Sequence, residues 1–136
     1  MGLFDIENLK KSVYEVGVLS RDVINLLNLS LDEMPILFGD DRIKYVSKHA
    51  HEFPSYKVYK DCLESIHTII SEPDYVALHP KGQSIEYIKQ LDELVLVAVR
   101  IKSVGSLWVR SFYPITKSKL NRYISEGTAQ KLPQNS

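Results

Sequence analysis

The sequence holds a single cysteine in 136 residues, which excludes an internal disulfide and any fold that depends on cross-links. That residue, Cys62, falls within an apolar stripe at helical spacing and is expected to be a small core residue. Long hydrophobic runs are missing too: the longest, Leu94 to Val99, is far shorter than the roughly 20 residues that cross a bilayer. The N-terminus lacks the basic region and cleavage site of a secretory signal, and Ile6 stands where a myristoylation signal needs Ser or Thr. A soluble cytoplasmic protein with no membrane partner is therefore expected. Net charge is zero, which at first argues against a polyanionic partner. There is no internal repeat and no low-complexity segment. What is there, 44% hydrophobic residues in a chain of ordinary domain length, suits one domain around one core.

The charge, although balanced, is unevenly placed. Residues 1–41 hold eight acids and three bases, so residues 42–136 hold nine acids and fourteen bases. From Leu94 to Ser125 there are Arg100, Lys102, Arg110, Lys117, Lys119 and Arg122 and no acid. A bound anion feels this local field and not the total. Spread over a solvated surface, the same bases would carry no function, so the question becomes which of them share a face.

Alternation and capping signals divide the chain. Val13 to Ser20 alternates as a strand, and Ser20 can cap a short helix with Val23, Leu26 and Leu27 on one side. "PILFG" reads as a second short strand. Asp40 or Asp41 offers a cap for "RIKYVSKHA", whose Ile43, Val46 and Ala50 form one stripe and which leaves His49 near a helix end. Pro54 breaks that pattern; Ser55 can cap a helix running to about Ser71, with Tyr59, Cys62, Leu63, Ile66 and Ile70 as its apolar face. Four strand-like runs follow, Asp74–Pro80, Ser84–Leu91, Leu94–Lys102 and Leu107–Ile115, joined by turns short enough for an antiparallel meander. "TKSKLNRYISEG" closes as a helix ended by Gly127. The expected organisation is an N-terminal strand–helix–strand lead-in (1–39), the main body of the same domain (40–127) and a flexible tail (128–136), in an α+β fold with helices on one face of a roughly four-stranded antiparallel sheet.

A four-residue hairpin loop, Ser103 to Ser106, pairs Lys102 with Leu107, Arg100 with Val109, Ala98 with Ser111 and Leu96 with Tyr113. Val95, Val97, Val99 and Ile101 then share the core face with Trp108, Arg110 and Phe112. The opposite face presents Arg100, Lys102, Ser111 and Tyr113: two cations, a hydroxyl and a phenol. A loop one residue longer or shorter would change this pairing, and Arg110 is the residue most sensitive to it. Ser and Tyr also fit exposed strand positions with no chemistry attached.

His49 and His51 stand two positions apart, so they do not share a helix face, and no cysteine stands near them. A zinc site would have to bring His67 or His79 and a carboxylate from far along the chain. No metal and no cofactor are expected.

The Lys48-His49 pair, the "PDYVALHPKGQSIEYIK" segment and the "VRSFYP" strand end together resemble the phage-associated nuclease domains grouped with barnase, EndoU, colicin tRNases and RelE toxins (PBECR-type), from about Asp40 to Gly127. The resemblance implies a helix-plus-antiparallel-sheet domain, bacterial or phage-encoded, that cuts RNA, tRNA among the candidates, without a metal, by attack of a ribose 2'-hydroxyl on the adjacent phosphate. It implies His49 as general base and Arg100 as the cation on the phosphoryl oxygens, assisted by Lys48 or Arg110. Ser111 and Tyr113 would be hydrogen-bond donors, with Tyr113 also able to protonate the leaving oxygen or stack on a base. Lys48, Lys102, Arg110 and His51 would then contact substrate, and an inhibitor or antitoxin protein would be a further partner. Some members place another histidine where this chain has Arg42. A cleavage-deficient RNA-binding or regulatory module, or a phage-associated interaction protein on the same fold, is the alternative.

Overall fold

The strand-like runs of the sequence all form strands, and one of their pairings departs from the expected register. The computed structural model describes residues 2–102 and 105–132. Its strands are β1 (Val13–Leu19), β2 (Met34–Gly39), β3 (Tyr75–Leu78), β4 (Ser84–Gln90), β5 (Leu94–Arg100), β6 (Leu107–Pro114) and β7 (Ala129–Gln130). Its helices are α1 (Arg21–Leu26), α2 (Asp40–Tyr45), α3 (Tyr56–Glu64), α4 (Ile66–Ser71) and α5 (Lys117–Ser125), with a 3₁₀ segment, Val46–Glu52, after α2. The expected meander is present as β3 to β6, but it is the middle of a seven-stranded sheet in the order β1-β2-β6-β5-β4-β3-β7. The β1–β2 hairpin joins through a parallel contact, Ile36 with Leu107 and Leu37 with Trp108, so the sheet is mixed and not purely antiparallel. At the other edge Ala129 pairs with Ala77 and Gln130 with Val76, placing two residues of the expected tail in the sheet.

Caps explain where the helices start. Ser20, Ser55 and Thr116 accept from the backbone N–H of Val23, Val58 and Lys119, satisfying donors that have no partner within the helix. The acidic cap expected for α2 is not used: its N-cap is Gly39, and Asp41 Oδ1 accepts from Arg42 N instead. The helix expected from Ser55 to Ser71 is broken at Ser65, whose Oγ donates to the Asp61 carbonyl, and α4 restarts at Ile66. Competition of this kind between a serine hydroxyl and the helical ladder favours a bend.

The main core lies on one sheet face, where Val95, Val97, Val99, Ile85, Tyr87 and Phe112 meet Tyr59, Cys62, Leu63, Ile66 and Ile70 of α3 and α4, all buried. Phe4 of the N-terminal arm enters the same core, its ring 5.1 Å from that of Tyr14. β1 carries a bulge between Glu15 and Gly17, and the carbonyl of Val16 accepts from His67 Nδ1 at 3.2 Å. On the opposite face Leu120 of α5 covers Ala77, Ile88, Leu94, Leu96, Ala98 and Ala129. That cover reaches only part of the face, and the uncovered part carries the polar residues.

Candidate active site

The open face is built from cross-strand rows. Glu86 pairs with Ala98 and Ala98 with Ser111, so the three lie side by side on β4, β5 and β6. On its other flank Glu86 pairs with Ala77 of β3. Small neighbours on both sides leave the carboxylate in a hollow between strands spaced about 4.8 Å apart. Along the strands, the next row is Ser84, Arg100 and Trp108, and the one on the other side is Ile88, Leu96 and Tyr113.

Glu86 is 4% exposed, and its Oε1 has no hydrogen-bond partner among the described residues. Burial raises its pKa above the usual carboxylate range, against the opposing pull of His79 and Lys119. Tyr113 is pushed up to about 12, first by burial and then by the carboxylate of Glu86, the phenol of Tyr123 and the carboxylate of Glu52. It is therefore a protonated hydrogen-bond donor throughout the neutral range. Lys119 Nζ stands 5.2 Å from the Tyr113 ring centroid, a cation laid on the aromatic face.

His49, on the 3₁₀ segment, approaches Tyr113, which lines this hollow. Phe53, just past its end, is buried and stacks on Phe112 with centroids 5.6 Å apart and planes at 15°, which fastens the segment to β6. The His49 ring then lies 5.5 Å from the ring of Tyr113. Its Nδ1 is hydrogen-bonded to Glu52, which sets the orientation of the imidazole. His51 is exposed.

β6 has one extra residue. Ala98 pairs with Ser111 but Val99 pairs with Val109, leaving Arg110 as a bulge. Arg100 consequently stands opposite Trp108, not Val109, and Trp108 lies on the open face, half-buried, while Leu107 and Val109 take the core positions expected for Trp108 and Arg110. Ser103 and Val104 of the hairpin loop lie outside the described residues, and the ladder stops at Arg100, so the pairing expected for Lys102 is not formed.

Two hollows adjoin at the bulge. The smaller, about 350 Å³, holds Glu86, Ser84, Ser111, Tyr113, Arg110 and His79. The larger, about 570 Å³, holds Arg100, Lys48, Arg42, Tyr45, Trp108 and again Arg110 and Ser111. The residues expected to act together are thus divided. Ser111 and Tyr113 lie at the smaller hollow with His49 against Tyr113, Arg100 and Lys48 lie at the larger, and Arg110 serves both. His49, His51 and Lys102 themselves line neither hollow.

Reading the sequence overlooked Glu86, and gave His79 no part beyond a distant metal ligand. Lys81 N donates to His79 Nδ1 at 3.1 Å, which places the neutral ring's hydrogen on Nε2. A signal existed for Glu86. It is the one acid in the middle of an otherwise apolar or hydroxyl-bearing strand face, and extending the pairing from β5 to β4 would have set it beside Ala98. Among the described residues, no three His, Cys, Asp or Glu stand close enough to hold a metal ion. No helix is long and apolar enough to cross a membrane among those residues.

Comparison with curated proteins and with solved structures gave no match. A family model does match. The phage-Barnase-EndoU-ColicinE5/D-RelE like nuclease3 model (PBECR3) covers residues 14–122, most of the chain, and the chain belongs to that family of phage-associated nuclease domains.

Proposed function

We propose that this nuclease domain cuts single-stranded RNA without a metal, by attack of the ribose 2'-hydroxyl on the adjacent phosphate, at the smaller hollow. The observation that carries this reading is the buried, unpartnered Glu86 sharing with Tyr113 and Ser111 one space large enough for a phosphate, with the His49 ring 5.5 Å from that of Tyr113. Glu52, accepting from Nδ1–H of His49, leaves the Nε2 lone pair of the neutral ring to take the 2'-proton. The 2'-oxygen bonds to phosphorus as the bond to the 5'-oxygen breaks. Glu86, whose burial favours the neutral carboxylic acid, gives its proton to that leaving oxygen, the role a desolvated carboxyl suits. The products are a 2',3'-cyclic phosphate and a free 5'-hydroxyl. Arg110, with the Ser111 and Tyr113 hydroxyls, stabilises charge on the non-bridging oxygens.

The test is incubation of the purified chain with single-stranded RNA in EDTA and analysis of the ends. Cyclic phosphate and 5'-hydroxyl ends support the reading; 3'-hydroxyl ends, or no cleavage by folded protein, overturn it. The roles separate on a substrate with a p-nitrophenyl leaving group, which departs without a proton. It should restore Glu86→Gln but not His49→Ala, and the opposite pattern would exchange acid and base.

A further inference from the structure

Apart from Arg110 and Ser111, which line both hollows, the larger hollow has no part in the bond-breaking steps above, yet it is the more strongly charged of the two. It presents Arg42, Lys48, Arg100 and Arg110 against one carboxylate, Asp41, whose Oδ1 already accepts from Arg42 N. Tyr45 stands among these cations, 51% exposed, with the Arg42 guanidinium carbon 4.6 Å and Lys48 Nζ 4.1 Å from its ring centroid. Lys48 Nζ also donates to the Tyr45 hydroxyl at 2.6 Å, so the ring holds the ammonium in place on the rim. Trp108 forms part of the wall, in the row of Arg100, because the Arg110 bulge turns it out of the core. A half-exposed indole among fixed cations is poor material for a core and good material for a surface on which a flat, anionic ligand lies.

We propose that this hollow is a nucleotide subsite for the RNA residue adjoining the scissile phosphate, with its base stacked on Trp108 and its phosphate held by Arg42, Lys48 and Arg100. The inference rests on the ribonuclease reading for its ligand and goes beyond it in assigning the substrate a second contact. Continuity of the two hollows through Arg110 and Ser111 lets one strand pass from the first to the second. Neighbouring phosphates on an extended strand are about 6 to 7 Å apart, comparable to one and a half strand spacings. Stacking requires an unpaired base, so the subsite selects single-stranded over duplex RNA. Arginine suits the phosphate because its planar fork bonds two oxygens at once.

Trp108 is the only tryptophan in the chain, which makes its fluorescence a direct readout of the subsite. The experiment titrates the protein with 2'-O-methyl oligonucleotides, which cannot be cut, of one to four nucleotides, and with heparin, a polyanion without bases. Saturable quenching by oligonucleotides and none by heparin is expected. Arg42→Ala or Lys48→Ala should lower the salt dependence of oligonucleotide binding by about one charge. In cleavage assays Trp108→Leu should lower kcat/KM for a tetranucleotide about 10-fold more than for a dinucleotide spanning only the scissile bond, the size expected from one lost stack. Equal quenching by heparin, or oligonucleotide binding by anisotropy with unaltered tryptophan emission, would overturn the subsite. Quenching as described without cleavage of natural RNA would instead overturn the ribonuclease reading and leave the subsite standing.

Discussion

The imidazole of His49 and the phenol of Tyr113 face each other at 5.5 Å, although 64 positions separate them in the chain (113 − 49). The contact exists because Phe53 stacks on Phe112, one residue before Tyr113, and so draws the 3₁₀ segment across β6. Alternation along β6 then sends Phe112 into the core and Tyr113 to the open side.

Replacing His49 with alanine should lower the rate of RNA cleavage by about 10²-fold or more, the usual size of a lost general base. His51→Ala should change it little, because His51 is exposed, whereas the His49 ring stands against Tyr113. Both variants should keep the thermal unfolding midpoint near that of the parent chain. Equal rate losses from both would mean that the two histidines act as a pair.

Glu86→Gln should abolish most activity and yet stabilise the fold at neutral pH. A carboxyl whose folded pKa is raised binds its proton more tightly folded than unfolded, so its contribution is most favourable at acid pH. That contribution is lost as pH rises from the ordinary carboxylate range through the raised value. Above that window the parent chain bears the cost of a desolvated charge and the glutamine variant does not. Melting curves at pH 7 and pH 4 should show the variant's advantage at the higher pH and its disappearance at the lower one. An advantage independent of pH would show that Glu86 is not the group responsible.

Phe112→Ala should destabilise the domain by about 3 to 5 kcal/mol, as removal of a large core ring does. Phe112 is fully buried and touches both Phe53 and Tyr59. Trp108→Ala should cost clearly less, since the indole lies half-buried on the open face. Urea titrations of the two variants compare them directly, and a larger loss at Trp108 would contradict the bulge at Arg110.

Gly17→Ala should also destabilise, by about 1 to 3 kcal/mol, the range for an overpacked core. A Cβ at Gly17 would come within 2.6 Å of Ile70 Cγ2, so α4 could not rest on β1 as it does. Shortening the opposing side chain in the same background, Ile70→Ala, should recover part of the loss, and additive losses in the double variant would place the strain elsewhere.

Much of the scaffold could be read before any coordinates because its signals are local. Ser20 and Ser55 cap the helices that follow them, since capping involves only three or four consecutive residues. The valines of β5 and the stripe of α3 and α4 meet because periods of 2 and 3.6 residues each single out one face. The same alternation placed Ser111 and Tyr113 on the side away from α3 and α4, although α5, against the expectation of helices on one face only, covers part of that side. Tertiary structure decided the rest. The extra residue at Arg110 leaves the apolar pattern of β6 almost unaltered while exchanging the faces of Trp108 and Val109, and nothing in the run itself marks which residue is left unpaired. The parallel contact of β2 with β6 joins segments that share no turn, so no local signal specified it. Glu86 gains its unusual chemistry from burial beside Ala77 and Ala98 on neighbouring strands, opposed by His79 and Lys119, and in turn helps to raise the pKa of Tyr113 two strands away. A carboxylate's pKa is a property of its surroundings, and those surroundings come together only when the sheet does.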